Sequence, residues 1–292
     1  MPTVGPYVGR FAPSPTGALH FGSLVAALAG WLDARRAGGK WLVRMEDLDR
    51  PRVIAGAADA ILRQLEAFGL EWDGPVVYQS NRLDLYQESM EKLNAHTYPC
   101  ACTRKELEDS ALAIDGARIY PGTCRGGLAA GKSARAIRVR TDNRPIGFAD
   151  RVQGDISQAL ESEIGDFVVR RADGLFAYQL AVAVDDDAQG VTNVVRGADL
   201  LDSTPRQIHL QRLLGFASPS YLHVPVAVNA AGEKLSKQTQ AADARAQDLP
   251  RALRFLGIPA PDDLPPRELP GWAVKHWDPP RLPRAKAVIV ET

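Results

Sequence analysis

The stretch from Tyr7 to Asp49, YVGRFAPSPTGALHFGSLVAALAGWLDARRAGGKWLVRMEDLD, constrains the fold more than any other part of the chain. Tyr7 to Phe11 is a short run of β-forming residues, and Leu24, Leu28 and Leu32 then recur at i, i+4 and i+8, which is one face of a helix. Gly38 and Gly39 stop that helix. Lys40 to Met45 alternates as a strand should and delivers Glu46 and Asp47 to the strand's end. The result is a βαβ unit, in which ligands bind beyond the carboxyl ends of the strands, where loop residues meet a helix N-terminus. Arg10, Ser14, His20, Gly22, Ser23 and Glu46 all fall there.

The same texture continues. Ile54, Ala58, Ile61, Leu62, Leu65 and Phe68 keep helical spacing up to Gly69, Val76 to Tyr78 reads as a short strand, and Leu83, Tyr86, Met90 and Leu93 mark another amphipathic helix. Such alternation favours a doubly wound α/β sheet. From Thr97 to about Lys132 it breaks, with Pro99, Pro121, five glycines and all three cysteines, so this segment reads as an insertion between two halves of the sheet. Ala136–Arg140 and Ile146–Gln153 read as strands, with a hairpin expected around Asn143 and Arg144. Asp166 to Val184 and Val191 to Leu214 resume the strand-and-helix pattern, Thr204-Pro205 being a good helix start. Leu222 to Asn229 is a further strand leading into AGEKLSKQ, after which one helical stretch gives way to eight prolines between Pro259 and Pro283. The expected organisation is residues 1–96 as the first half of the main domain, 97–132 as the insertion, 133–240 as the second half with the KLSK loop, and 241–292 as a small helical appendage with a loosely packed Pro-rich tail.

Equal numbers of Lys+Arg and Asp+Glu, 35 each, give no long-range field to attract or repel nucleic acid, so any basic surface is local. No run approaches the roughly eighteen apolar residues of a membrane span. The N-terminal MPTVGP has no charged segment followed by an apolar one, so a cytoplasmic protein is expected. Nothing suggests an obligate oligomer, and a monomer is expected.

Three constellations carry chemistry. PSPTGALHFGS is a Gly- and Pro-rich turn opening a helix, which presents backbone N–H groups and a positive dipole end to an anion. It matches neither GxGxxG nor GxxxxGK[ST], and His20 could equally serve as a helix cap. Lys234 and Lys237 in KLSK can converge on a phosphate chain from a loop, or can form an ordinary solvated turn. Cys100, Cys102 and Cys124 lie within twenty-five residues and supply three of the four ligands of a structural zinc site, the alternative being three reduced thiols. The fourth position is open between Tyr120, His96 and water.

Taken in order, RFAPSPTG, LHFGS, RMEDLD, the CxC insertion, AYQLAVAVDD, VVRGADLLDSTPRQ and KLSKQ resemble the catalytic domain of glutamyl-tRNA synthetases over roughly residues 7 to 240. The short stretch after KLSKQ and the CxC…YxxxC pattern resemble the glutamyl-Q tRNA(Asp) synthetase family in particular. The resemblance implies a Rossmann-type class I aminoacyl-tRNA synthetase catalytic domain with a zinc-containing insertion and a small helical C-terminal appendage. It also implies ATP-dependent, tRNA-independent activation of L-glutamate and transfer to the queuosine base in the anticodon of tRNA(Asp).

By the same resemblance His20, Lys234 and Lys237 are the catalytic residues, with His20, Gly22, Ser23 and Lys237 around ATP, which carries Mg2+. Arg10, Phe11, Ala12, Pro13, Ser14, Glu46, Tyr178 and Arg196 form the glutamate site. There Glu46 takes the ammonium and Arg196 the side-chain carboxylate, a task suited to the guanidinium fork. Blander roles remain for each: Glu46 as a surface carboxylate, Arg196 paired with Asp199 or Asp202, and Tyr178 in the core. The family pattern selects Tyr120 as the fourth ligand of one structural Zn2+, beside Cys100, Cys102 and Cys124. The RNA would be held by basic residues, for which Arg206, Arg212, Arg251, Arg254, Arg281, Arg284 and Lys286 are unranked candidates.

Overall fold

The computed structural model describes residues 5–235 and 242–290. Strand β1 (Val8–Phe11), helix α1 (Phe21–Arg36) and strand β2 (Lys40–Met45) form the expected unit, with β1 and β2 parallel and Arg10 opposite Leu42. Leu24, Ala27, Leu28 and Leu32 of α1 are fully buried, and so are Trp41, Val43 and Met45 of β2. A helix covered on most sides needs apolar residues beyond one stripe, which is why Val25, Ala29 and Trp31 are buried too. Helix α2 (Ala57–Ala67) and strand β3 (Val77–Tyr78) follow, β3 adding parallel to β2, and then helix α3 (Leu83–Lys92).

Strands β4 (Thr97–Cys100) and β5 (Ala136–Val139) are antiparallel and bracket the cysteine segment. Strands β6 (Ile146–Asp150) and β7 (Gly154–Gln158), the short helix α4 (Leu160–Glu163) and strand β8 (Val168–Arg170) come next. β8 completes the small sheet β4-β5-β8. The chain returns to the main layer through helix α5 (Tyr178–Ala188), strand β9 (Asn193–Gly197), helix α6 (Thr204–Leu214) and strand β10 (Ser220–Val224), with β10 parallel to β9. Pro205 lies in the first turn of α6, as its sequence predicts. Strand β11 (Val226–Val228), helices α7 (Leu249–Phe255) and α8 (Leu269–Ala273), and strand β12 (Ala287–Ile289) close the order.

β1-β2-β3 forms one half of the main layer and β7-β6-β10-β9 the other. The halves meet where β1 runs beside β9, the Thr192 N–H donating to the Val8 carbonyl at 2.9 Å. From that seam the chain winds outward through β2 and β3 on one side and β10 on the other. This is a topological switch point, the place where an open α/β sheet leaves a crevice at its carboxyl edge.

Three expectations need correction. The hairpin does not turn at Asn143 and Arg144, because β5 and β6 belong to different sheets. It turns at Arg151–Gln153 instead, where Asp150 Oδ1 accepts the N–H groups of Val152 and Gln153 at 3.0 and 2.8 Å and Gly154 takes φ +84°. A side-chain acceptor that mimics a backbone turn outcompetes the Asn-Arg pair. The strand expected over 222–229 divides at Pro225, which has no N–H for a ladder, and β11 pairs with β12 rather than continuing β10.

The C-terminal stretch is also not loosely packed. Leu249, Ala252, Leu253, Leu269, Ala273, Trp277 and Leu282 are buried in the same core as α1. Asp33 on α1 ties three distant segments together. Its carboxylate accepts from Tyr7 Oη (2.6 Å), bidentately from Arg151 (2.6 and 2.8 Å), and from Trp277 Nε1 (2.8 Å). A buried carboxylate with that many donors fixes the angle at which the last forty residues or so dock.

Candidate active site

A cavity of about 500 Å³ opens at the carboxyl ends of β1 and β9. Arg10, Phe11, Ala12, Pro13, Ser14, His20, Gly22, Ser23, Glu46, Tyr178, Arg196 and Lys234 all line it. Residues separated by more than 200 positions therefore converge, and every expected glutamate- and ATP-site residue is among them except Lys237, which lies outside the described residues.

One end of the cavity is built on buried charge. Arg10 is 4% exposed, and its Nε donates to Asp186 Oδ1 at 3.1 Å. The same oxygen lies 2.8 Å from Nη2 of Arg44, an ion pair in which the N–H is directed off the oxygen, while Nη1 of Arg44 donates to Gln189 at 2.7 Å. Arg44 is wholly buried and stands 3.7 Å from both Glu46 and Asp185. Asp185 is in turn held by Arg82 Nε (2.6 Å), Tyr86 Oη (2.8 Å) and Gln79 Nε2 (2.8 Å). Burial raises the carboxyl of Asp186, but the guanidiniums of Arg10 and Arg44 outweigh it and hold the group below the usual range. Glu46 responds the other way: burial dominates over Arg44 and Arg10, and its carboxyl is pushed up to about 7. A cavity-lining carboxylate that lacks enough positive partners is suited to receive a ligand's cation.

Arg196, 5% exposed, takes neither acidic partner suggested by the sequence, since Asp199 pairs with Lys234 at 2.5 Å and Asp202 with Lys286 at 3.5 Å. Its Nε donates to His223 Nε2 at 3.0 Å and its Nη2 to Thr204 Oγ1 at 2.8 Å. Nη1 is buried with no partner among the described residues. A buried guanidinium nitrogen left unpaired beside a cavity is a receptor for an acceptor group.

The opposite end is more open. His20 is the N-cap of α1: its Nδ1 accepts the Ser23 N–H at 3.3 Å, and its Nε2 lies 3.0 Å from Ser23 Oγ. The cap role and the cavity-lining role therefore coexist in one side chain, which points the helix start and its unpaired N–H groups at the cavity. A Cβ at Gly22 would come within 3.3 Å of the Leu235 carbonyl, a tight contact, so glycine at that position eases the close approach of the helix start to the Lys234–Leu235 segment. Ser14 is exposed, and Tyr178 is 37% exposed at the first turn of α5 rather than in the core.

Away from the cavity, the Sγ atoms of Cys100, Cys102 and Cys124 lie within 4.8 Å of one another. Cys102 and Cys124 are 3.6 Å apart, too far for a disulfide and close to the roughly 3.8 Å that tetrahedral geometry with 2.3 Å Zn–S bonds would set. Tyr120 Oη stands 3.4 Å from Cys100 Sγ and 3.7 Å from Cys102 Sγ. His96 is exposed and outside the group. Burial opposes ionisation of Cys124, but the N–H of Ala101 and hydrogen bonds from Tyr120 and the neighbouring thiols bring it down to about 7. Gly165, at φ +76°, lets the chain pass against the Tyr120 backbone, where a Cβ would lie 2.4 Å from the Tyr120 carbonyl. Three convergent thiols and a phenol suit a soft, four-coordinate metal ion.

Residues 7–255 match the family described as tRNA synthetases class I (E and Q), catalytic domain. The chain belongs to this family. Among its relatives is a protein of Dechloromonas aromatica (strain RCB) named glutamyl-Q tRNA(Asp) synthetase, 59% identical, with 98% of each chain covered. A protein of the same name from Geobacter sulfurreducens is 53% identical over 97% of this chain and 95% of its own. In fold, the chain is similar to the glutamate-tRNA synthetase of Elizabethkingia anophelis, with a TM-score of 0.77 at 24% identity, covering 98% of this chain and 68% of that one.

Within this class I synthetase, sequence reasoning missed Arg44, Asp185, Asp186, Thr204 and His223. Asp185-Asp186 does carry a signal: carboxylates directly follow AVAV in a helix where Leu180 to Val184 are all buried, and buried charges need partners. His223, in an ordinary-looking strand, carries none. Of the basic residues considered for RNA, Arg206 is tied to Asp115, Arg281 to Asp278 and Lys286 to Asp202, while Arg251 lies over the Phe21 ring at 4.7 Å. Arg212, Arg254 and Arg284 are exposed. Among the described residues no helix is long and apolar enough to cross a membrane.

Proposed function

We propose that this enzyme activates L-glutamate with ATP, without needing tRNA, and then transfers the glutamyl group to the queuosine base in the anticodon of tRNA(Asp). The observation that carries this reading is the identity, 53–62% over 82–98% of the chain, to proteins named glutamyl-Q tRNA(Asp) synthetase. The cavity agrees with it: two buried guanidiniums and one proton-prone carboxylate match an amino acid with two carboxylates and one ammonium.

In the first step an oxygen of the α-carboxylate attacks the α-phosphorus of ATP. A new P–O bond forms, the bond to the pyrophosphate oxygen breaks, and pyrophosphate leaves with its negative charge. No protein nucleophile is required. Holding the reactants in line and stabilising the growing charge suffices, a task for His20, the start of α1 at Gly22 and Ser23, Lys234 and Lys237. Glu46 receives the ammonium, Arg196 the side-chain carboxylate and Arg10 the remaining carboxylate charge. Phe11, Ala12, Pro13, Ser14 and Tyr178 form the walls. ATP would enter with Mg2+, which would neutralise phosphate charge. In the second step a queuosine hydroxyl attacks the activated carbonyl carbon, the ester bond forms, the bond from that carbon to the phosphate oxygen breaks to release AMP, and the hydroxyl proton passes to solvent.

We assign one structural Zn2+ to Cys100, Cys102, Cys124 and Tyr120, where it would cross-link the loop between β4 and β5. Metal analysis of protein purified without chelator should find about one zinc per chain, and well under that would refute the assignment. The four-part organisation at residues 96, 132 and 240, a cytoplasmic location and a monomeric state belong to the same proposal. The decisive experiment is transfer of labelled glutamate to tRNA(Asp) with and without queuosine. Labelling that requires the modified base supports the reading; labelling of a tRNA 3′ end, or equal labelling of both RNAs, overturns it.

A further inference from the structure

Behind Arg196 lies a chain of buried groups that the reaction itself does not touch. Asp150, at the end of β6, is 5% exposed, and its Oδ1 accepts backbone N–H groups from Val152, Gln153 and His223. Its Oδ2 lies 2.6 Å from Nδ1 of His223, which is fully buried on β10. His223 Nε2 in turn accepts from Arg196 Nε at 3.0 Å and lies 3.2 Å from Thr204 Oγ1. Tyr221 stacks parallel to the imidazole with ring centres 6.2 Å apart, and Phe148 covers it at 6.4 Å.

These contacts leave His223 one workable tautomer. Asp150 is an acceptor, so Nδ1 carries the hydrogen; Arg196 Nε is a donor, so Nε2 must offer its lone pair. Burial, reinforced by the neighbouring Arg196 guanidinium and opposed by Asp150, brings the imidazole down to about 4, so the ring is neutral at physiological pH. An imidazolium would set N–H against N–H.

We infer that His223, fixed by Asp150, is a positioning residue that locks the guanidinium of Arg196 with Nη1 aimed into the cavity, and so sets affinity for a ligand side-chain carboxylate. The inference rests on the reading in which Arg196 receives that carboxylate. Its physical basis is the choice of partner. A carboxylate directly on Arg196 would hold it equally well but would neutralise it, as Asp186 partly does for Arg10. A neutral imidazole supplies an acceptor of fixed direction and leaves the full guanidinium charge for the ligand. The anion that orients the imidazole stands one residue further back. With Nε and Nη2 both tethered, the plane of the fork is set before the ligand arrives, so little ordering remains to be done on binding.

The test compares two substitutions of similar bulk in tRNA-independent ATP–pyrophosphate exchange. The amide of His223→Asn stays near Asp150 but is too short to reach Arg196, and it should raise the KM for glutamate about 30- to 100-fold, the scale expected when a recognition group is misplaced by about 1 Å. The kcat and the KM for ATP should stay within about threefold. His223→Gln places an amide oxygen where Nε2 stood, and it should restore the glutamate KM to within about tenfold of the parent although its bond to Asp150 is lost. Thr204→Val, near-isosteric, removes the second tether and should raise the glutamate KM about tenfold, which keeps the test open if His223→Asn does not fold. Equal KM effects in the Asn and Gln variants, a fall in kcat with unchanged KM, or an unchanged KM in Thr204→Val would overturn the inference. Arg196→Ala separates the two claims: retained glutamate affinity there would sink the carboxylate assignment itself, whereas lost affinity there with a normal His223→Asn would sink only the positioning role.

Discussion

The two ends of the cavity are held in different ways. At the end we assign to glutamate, Arg10, Arg44, Arg196, Asp185 and Asp186 are all at most 5% exposed, and the guanidiniums are fixed by partners before any ligand is present. At the end we assign to ATP, the ion pair between Lys234 and Asp199 joins side chains that are 44% and 37% exposed, and His20 is occupied in capping α1. The difference fits the chemistry we assign to each end. Glutamate must be told apart from other amino acids by charge and geometry, which demands desolvated groups that cannot shift. A triphosphate must enter, react and leave as pyrophosphate, which suits side chains on the protein surface that can follow the moving charge.

The largest effect expected from breaking this contrast is at Arg196. Arg196→Ala should reduce glutamate-dependent ATP–pyrophosphate exchange by about 10³ or more in kcat/KM, since it removes the charged partner of a buried carboxylate, while ATP binding by calorimetry stays largely intact. Next is a pair of like substitutions, one at each end. Asp186→Asn leaves Arg10 and Arg44 facing a neutral amide and should destabilise the protein by about 3–5 kcal/mol in denaturant unfolding. Asp199→Asn breaks a pair more than a third exposed and should change stability by less than about 1 kcal/mol. If the two variants lose the same stability, the contrast between the ends fails.

At the nucleotide end, Lys237→Ala should lower the exchange rate by about 10²–10³ with the fold unchanged by circular dichroism. Near-parental exchange would remove this lysine from the mechanism. A gentler probe is pH. Burial pushes Glu46 up to about 7, so lowering the pH through 7 protonates the group to which we assign the ammonium. The KM for glutamate should rise about tenfold for each pH unit below 7, while the KM for ATP should not share that profile. His223, already neutral above about 4, does not contribute over this window. For the ligand-free fold the sign is opposite: with a folded pKa above the ordinary 4.5, Glu46 contributes stability below 4.5 that is lost as pH rises through about 7. A KM profile that stays flat over roughly one to two pH units on either side of 7 would show that Glu46 is not the ammonium site.

Much of the site was legible in the sequence because its residues sit beside strong local signals. Arg196 was legible only through the family resemblance, whereas Arg10 lies in a β run, His20 and Gly22 open a helix and Glu46 follows a strand, so the rule that ligands gather at the carboxyl edge of a parallel sheet picks them out. The βαβ unit was legible for the same reason. The hairpin and the C-terminal packing were not. The turn at Asp150 depends on one side chain accepting two backbone N–H groups, and the docking of Trp277 depends on Asp33, 244 positions away. Neither partnership has a period or a local composition that marks it.

By itself, then, the sequence determined the alternation of strands and helices, the edge of the sheet where ligands gather, the cysteine cluster, and through its motifs the family. Only the tertiary structure decided how the charges in the cavity are arranged: Asp186 shared between Arg10 and Arg44, Asp199 taken by Lys234, and His223 behind Arg196. The reason is physical. Local patterns record which residues face a core, because burial of a stripe is a property of one helix or strand. The partner of a buried charge is chosen by distance and desolvation among segments far apart in the chain, and no single segment carries that information.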